Sequence, residues 1–179
     1  MRYLLAAVLY TALAATANAD MSDLEALRAG DMRKLQIHSA SRPAPDTVFL
    51  HADGSELRLS DYRGKVVVLN FWATWCAPCR KEIPILIQAQ KEYGDQGLQI
   101  IGLAVDEPEP VRKYAQQFGI NYPVLVDAIN VVKLQDKLEG GAGLPVSILI
   151  DREGKVRERV IGEIDQAQLN ELLAPYFSQ

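Results

Sequence analysis

Val66-Val67-Val68-Leu69-Asn70-Phe71-Trp72-Ala73-Thr74-Trp75-Cys76-Ala77-Pro78-Cys79-Arg80-Lys81-Glu82 decides the reading of this chain. Val66 to Trp72 is an apolar run broken only by Asn70, the pattern of a strand buried on both faces. A helical stretch follows from about Pro78 to Tyr93, so two cysteines three positions apart sit where a strand meets a helix N-terminus. Proline is tolerated in a first helical turn, which suits Pro78 to that place.

That location has chemical consequences. The unpaired N–H groups and the dipole of a helix start favour an anion, so the first cysteine is expected to have a lowered pKa. Arg80 and Lys81 add positive charge nearby. Residues three apart share a helical face, which lets Cys79 reach the sulfur of Cys76. Cys76, nearer the exposed tip, is the expected nucleophile; Cys79 would resolve the mixed disulfide it forms. A zinc site needs four ligands, and only His38 and His51 could join the pair, both in the N-terminal extension and outside the motif's helix. An inert buried pair is the other alternative.

Outward from the motif, strands and helices alternate. Leu98 to Val105 reads as a second buried strand, Val111 to Phe118 as a helix ended by Gly119, and Val124 to Val126 as a short strand. Val131 to Leu138 reads as a helix, Val146 to Ile150 as a strand, and Asp151 to Gly154 as a turn into a strand over Lys155 to Ile161. Asp165 caps a final helix with Leu169, Leu172, Leu173 and Phe177 on its apolar face. Before the motif, Asp46 to Leu50 and Glu56 to Leu59 flank Asp53-Gly54, a hairpin signal. Parallel strands joined by helices, with an antiparallel hairpin at one edge, make an α/β sandwich: a mixed sheet covered by helices.

The chain has 179 residues, 49% hydrophobic and 23% charged, with a formal net charge of −4. That suits one globular domain with a short extension and offers no electrostatic reason to bind nucleic acid. Arg2, the uncharged run from Tyr3 to Thr16 and then Ala17-Asn18-Ala19 have the layout of a secretory signal peptide. The run is shorter than the roughly 20 residues of a membrane span, with an uncleaved inner-membrane anchor as the alternative. Cleavage after Ala19 starts the mature chain at Asp20. Met21 to Ala29 reads as a short helix, with Ser22 as N-cap and Glu25 completing a capping box, and Ser39 to Pro45 as a polar linker. The expected division is a signal peptide over 1–19, an extension and linker over 20–42 and the main domain over 43–179. Export permits disulfides, yet a bond across two intervening residues constrains the unfolded chain little. The pair is a poor staple, which argues for redox chemistry or metal binding.

From Phe71 to Arg80 the sequence resembles the active-site segment of thioredoxin-like proteins. It is most similar to the exported TlpA/ResA-type thiol–disulfide oxidoreductases of the AhpC/TSA-like thioredoxin-fold superfamily, close to the cytochrome c maturation thioredoxins. The resemblance spans roughly Pro43 to the C-terminus. It includes Leu59-Ser60-Asp61-Tyr62-Arg63-Gly64-Lys65 and Gly143-Leu144-Pro145. It implies a thioredoxin fold with an N-terminal hairpin and an extra helix and strand between Glu107 and Asp127. It places a cis-proline facing the sulfurs at Pro145. Thioredoxins carry a buried Asp in the strand before the motif, where this chain has Asn70. The exported relatives instead place a Glu three residues after the second cysteine, which falls on Glu82. The resemblance thus implies that Glu82 moves protons to and from the thiols; the alternative is merely a favourable acid in a first helical turn. By the same resemblance Trp75, Ala77, Pro78 and Leu144 contact the substrate. No cofactor is implied beyond a redox-active Cys76–Cys79 disulfide.

The leading expectation is a monomeric periplasmic reductase of protein disulfides. It would act on exported proteins, apocytochrome c among them, and be recharged by an upstream membrane thiol reductant. The runner-up is an oxidant or isomerase. Peroxidases of the fold carry a Thr three residues before the attacking cysteine, where this chain has Ala73; Thr74 is one position late. A redox-inactive binding module would have no need of both cysteines.

Overall fold

The computed structural model describes residues 35–50, 56–138, 141 and 143–177. The signal segment and the Met21–Ala29 helix expected from the sequence lie outside them, as does the Asp53-Gly54 turn. The strand expected at the motif is β4, Val66–Trp72, and all seven of its residues are buried. It is central because a strand pairs along each of its edges, while packed side chains bury both of its faces. β5 (Leu98–Ala104) runs parallel to it and β7 (Val146–Ile150) antiparallel. The first three described strands are β1 (Leu35–Pro43), β2 (Val48–Leu50) and β3 (Glu56–Arg58), and the last two are β6 (Val124–Val126) and β8 (Lys155–Ile161). The six-stranded sheet has the order β1-β8-β7-β4-β5-β6. β6 is parallel to β5, β8 is antiparallel to β7, and β2 and β3 form a separate antiparallel ladder.

Among the described residues there are four α-helices: α1 (Ala77–Tyr93), α2 (Pro108–Phe118), α3 (Ala128–Lys137) and α4 (Gln166–Phe177). α1 links β4 to β5 and α2 links β5 to β6, the long crossovers that parallel neighbours need. α2 ends where Gly119 adopts φ +64°, a conformation that costs glycine little. Asp165 accepts from the Gln168 N–H, and the Gln168 side chain accepts from the Asp165 N–H, a reciprocal cap on α4.

β4 feeds two clusters through its alternating side chains. Val67, Leu69 and Phe71 pack with Val131 and Leu134 of α3 and with Phe49 and Leu57 of the small ladder. Trp72, on the other face, packs with Cys76, Cys79, Ile83 and Val111.

Two expectations are corrected. Ser39 to Pro43, read as part of a linker, is the end of β1. The β7–β8 hairpin is not the edge of the sheet, because β1 lies outside β8. Leu35-Gln36-Ile37-His38 alternates apolar and polar, but Ser39, Ser41, Arg42 and Pro43 break the pattern after it, which is why β1 escaped notice. β8 is therefore interior, and it buries Glu158 and Arg159.

Candidate active site

Cys76 is the N-cap of α1. Its backbone is extended, and its sulfur accepts a hydrogen bond from the Cys79 N–H at 3.3 Å. Ala77 and Pro78 open the helix, so the donor that proline lacks is one the helix would leave unpaired. The two cysteines are joined as a disulfide, with Cα atoms 5.3 Å apart. Cys76 is 5% exposed and Cys79 0%. Trp75 stands out beside them at 67% exposure, whereas Trp72 is buried. Ala77 and Arg80 are exposed, and so is Lys81, whose ammonium reaches Glu163 at 3.5 Å.

The loop between β4 and α1 is held by Asp106, which follows β5. One carboxylate oxygen accepts from the Thr74 N–H at 2.9 Å and from the Thr74 hydroxyl at 2.5 Å, and the other from the Glu107 N–H at 2.8 Å. Burial opposes ionisation of Asp106, but these bonds prevail and lower its pKa. Thr74 is thereby engaged with Asp106. The sequence offered no signal for this pairing, because the partners are far apart in the chain.

Below the disulfide lies Glu82, three residues after Cys79 on the same face of α1. It is 0% exposed. Asn70 donates from Nδ2 to Glu82 Oε1 at 2.7 Å, and the Ile164 N–H donates to Oε2 at 3.0 Å. Burial raises the Glu82 pKa from the ordinary 4.5 to about 7. The two hydrogen bonds offset part of the rise, and nearby Glu163 adds to it. Glu82 is beyond the first turn of α1 and fully buried, so an exposed acid complementing the helix dipole does not describe it. Asn70 also donates to Ser147 Oγ at 3.2 Å, and its own Oδ1 has no hydrogen-bond partner. Tyr122 is buried close enough that the Glu82 charge helps burial to raise its phenol pKa. Ser147, Tyr122 and the Ile164 N–H were not among the expected site residues; they come from β7, the α2–β6 connection and the β8–α4 connection.

The Leu144–Pro145 bond is cis. Pro145 is buried, and Leu144 packs against the cluster containing both cysteines. The register pairs Phe71 with Val146, which sets Pro145 beside the end of β4. Its carbonyl accepts from the Gly162 N–H at 2.8 Å. The structure thus brings Cys76, Cys79, Glu82, Leu144 and Pro145 to one end of the sheet, with Trp75, Ala77 and Pro78 at its surface. His38 belongs to β1, on the sheet's far edge strand, and His51 lies outside the described residues. Among the described residues no group of three or more His, Cys, Asp or Glu could hold a metal ion.

A vicinal cysteine pair at a helix start, a cis-proline loop alongside it and a buried carboxylate beneath define a thioredoxin-fold thiol–disulfide oxidoreductase. The chain belongs to the AhpC/TSA family, whose model matches residues 40–159, and within it to the ResA-type thiol–disulfide oxidoreductases. It is 39% identical over 143 residues to the thiol-disulfide oxidoreductase ResA of Bacillus anthracis, covering 78% of each chain. Among solved structures it resembles a thiol:disulfide interchange protein of Chlorobium tepidum TLS. That likeness has 33% identity and a TM-score of 0.69, over 77% of this chain and 97% of the other. It also resembles an exposed lipoprotein thioredoxin of Streptococcus pneumoniae, with 29% identity and a TM-score of 0.63, over 73% and 99% of the two chains. The substrates are protein thiols and disulfides.

Proposed function

We propose that this oxidoreductase works as a reductant of disulfides in exported proteins, with the haem-attachment cysteine pair of apocytochrome c among its targets. In the reducing cycle the Cys76 thiolate attacks one sulfur of the partner disulfide, and the other partner sulfur leaves as a thiolate. Cys79 gives its proton to the Glu82 carboxylate and attacks Cys76 Sγ. The second partner thiolate departs, and the enzyme is left with the Cys76–Cys79 disulfide. Two electrons have passed to the partner, and Glu82 holds a proton that a product thiolate can take. A dithiol on the membrane side then restores the enzyme by the same exchange. Trp75, Ala77, Pro78 and Leu144 form the surface that the partner meets, with the cis-bonded Pro145 beside the end of β4.

The observation that carries this reading is the buried Glu82 on the face of the resolving cysteine. A buried thiol is reluctant to ionise, so the second step needs a base with a pKa near the working pH. The likeness to an exposed lipoprotein supports an extracytoplasmic location, as do the apolar start of the chain and Ala17-Asn18-Ala19.

The midpoint potential of the Cys76–Cys79 couple decides the direction. Equilibration against glutathione or dithiothreitol is expected to give a value more negative than about −220 mV. A value above about −180 mV, in the range of protein disulfide isomerase, would reverse the assignment to oxidant or isomerase.

A further inference from the structure

α3 and its C-cap Leu138 present a core stripe of Val131, Leu134, Gln135 and Leu138, the spacing of one helical face. Three of these residues are aliphatic. The fourth is an amide that is only 6% exposed, in a position where leucine would cost less. Its hydrogen bonds account for it. Gln135 Nε2 donates to the carbonyl of Gly141 at 3.0 Å and to that of Gly143 at 3.0 Å, so both N–H bonds of the amide end on one loop.

That loop joins α3 to β7 and reads Glu139-Gly140-Gly141-Ala142-Gly143-Leu144-Pro145. Gly141 and Gly143 have φ of +71° and +120°. So glycine-rich a segment has many backbone conformations to lose and little intrinsic preference for any of them. Its last two residues nonetheless lie at the site: Leu144 packs against the cluster containing both cysteines, and Pro145 sits beside the end of β4. Pro145 is tied on its far side by the Gly162 N–H, and the carbonyl just before Leu144 is tied by Gln135.

We propose that Gln135 is a positioning residue for partner recognition: its side-chain amide holds the carbonyls of Gly141 and Gly143 and thereby presents Leu144-Pro145 to protein disulfides. The proposal rests on the reading that Leu144 and Pro145 meet the partner. It makes no demand on the thiols themselves, because Gln135 contacts neither cysteine nor Glu82.

The test compares two disulfides with the reduced full-length chain. Insulin must dock against the loop, whereas hydroxyethyl disulfide needs only an accessible Cys76. Gln135→Leu completes the apolar stripe and removes both donors; Gln135→Met does so with an unbranched side chain. In both variants the insulin rate is expected to fall about tenfold, through KM, the scale of losing one net hydrogen bond to the loop. The hydroxyethyl disulfide rate should stay within about twofold, as for a surface change that leaves the exchanging sulfurs alone. An unchanged ratio of the two rates, whether both fall or neither does, overturns the proposal. Failure of both variants to fold would assign Gln135 to the fold alone and overturn it too. A wild-type chain that exchanges with hydroxyethyl disulfide but not with insulin would refute action on protein disulfides, and this inference with it. Wild-type activity on both with unaltered variants refutes the inference only.

Discussion

Glu82 is held by one side-chain amide and one backbone N–H in a site with no exposure, and burial outweighs both bonds. The sign of its effect on stability follows. Its folded pKa of about 7 lies above the ordinary 4.5, so the folded chain binds the proton more tightly than the unfolded one. The associated stability is full below about pH 4.5 and is lost as pH rises through about 7. A rise of this size corresponds to about 3 kcal/mol. Glu82→Gln, which cannot ionise, is expected to remove that part of the decline in urea-denaturation midpoints of the oxidised protein between pH 5 and about 8. Glu158, also buried and raised to about 7, keeps a residual slope. Wild type and Glu82→Gln with parallel profiles would mean that Glu82 is already ionised below pH 5. The Cys76–Cys79 pair was legible in the sequence from its own spacing and setting, whereas Glu82 and Pro145 were expected only from the family resemblance. Ser147 and Tyr122 were legible by neither route: a serine or tyrosine in an apolar stretch looks the same whether it faces a carboxylate or a methyl group.

The elements at the site are coupled by side chains that no local pattern reveals. The β4–α1 connection carries Trp75 and Cys76 and is fastened to the end of β5 by Asp106. Asp106→Ala strands the Thr74 N–H and hydroxyl and is expected to cost about 1–3 kcal/mol. Measured by urea denaturation, that loss should come with faster alkylation of Cys76 in the reduced protein, because the loop is no longer pinned. Unaltered stability would show that water replaces the carboxylate at no cost. The helices and the buried strands β4, β5 and β7 were readable with boundaries close to those observed, since long apolar runs and Gly119-type stops are local signals. α2 and α3 begin three residues earlier than the apolar pattern does, because Glu109 and Ile129 in their first turns face solvent. β1 left no such trace.

For the whole molecule, the sheet gathers the site residues at one end, where the C-terminal ends of β4 and β5 meet the start of β7. No helix among the described residues is long and apolar enough to cross a membrane. The proposed export rests on the N-terminal sequence, and it predicts that N-terminal sequencing of the protein from a periplasmic fraction will read Asp20-Met21-Ser22. An intact Met1 in the membrane fraction would replace cleavage by anchoring. The sequence by itself determined the fold class, the redox pair and the order of the central elements. Those depend on periodicity and on residues within one helical turn of each other, which are local quantities. Only the tertiary structure decided that β1 closes the sheet, that Asp106 clamps the cysteine loop and that Gln135 holds the loop before Pro145. It alone placed Glu82 where burial lifts its pKa. Desolvation and long-range hydrogen bonds depend on what the rest of the chain packs around a group, and chain neighbours do not encode that.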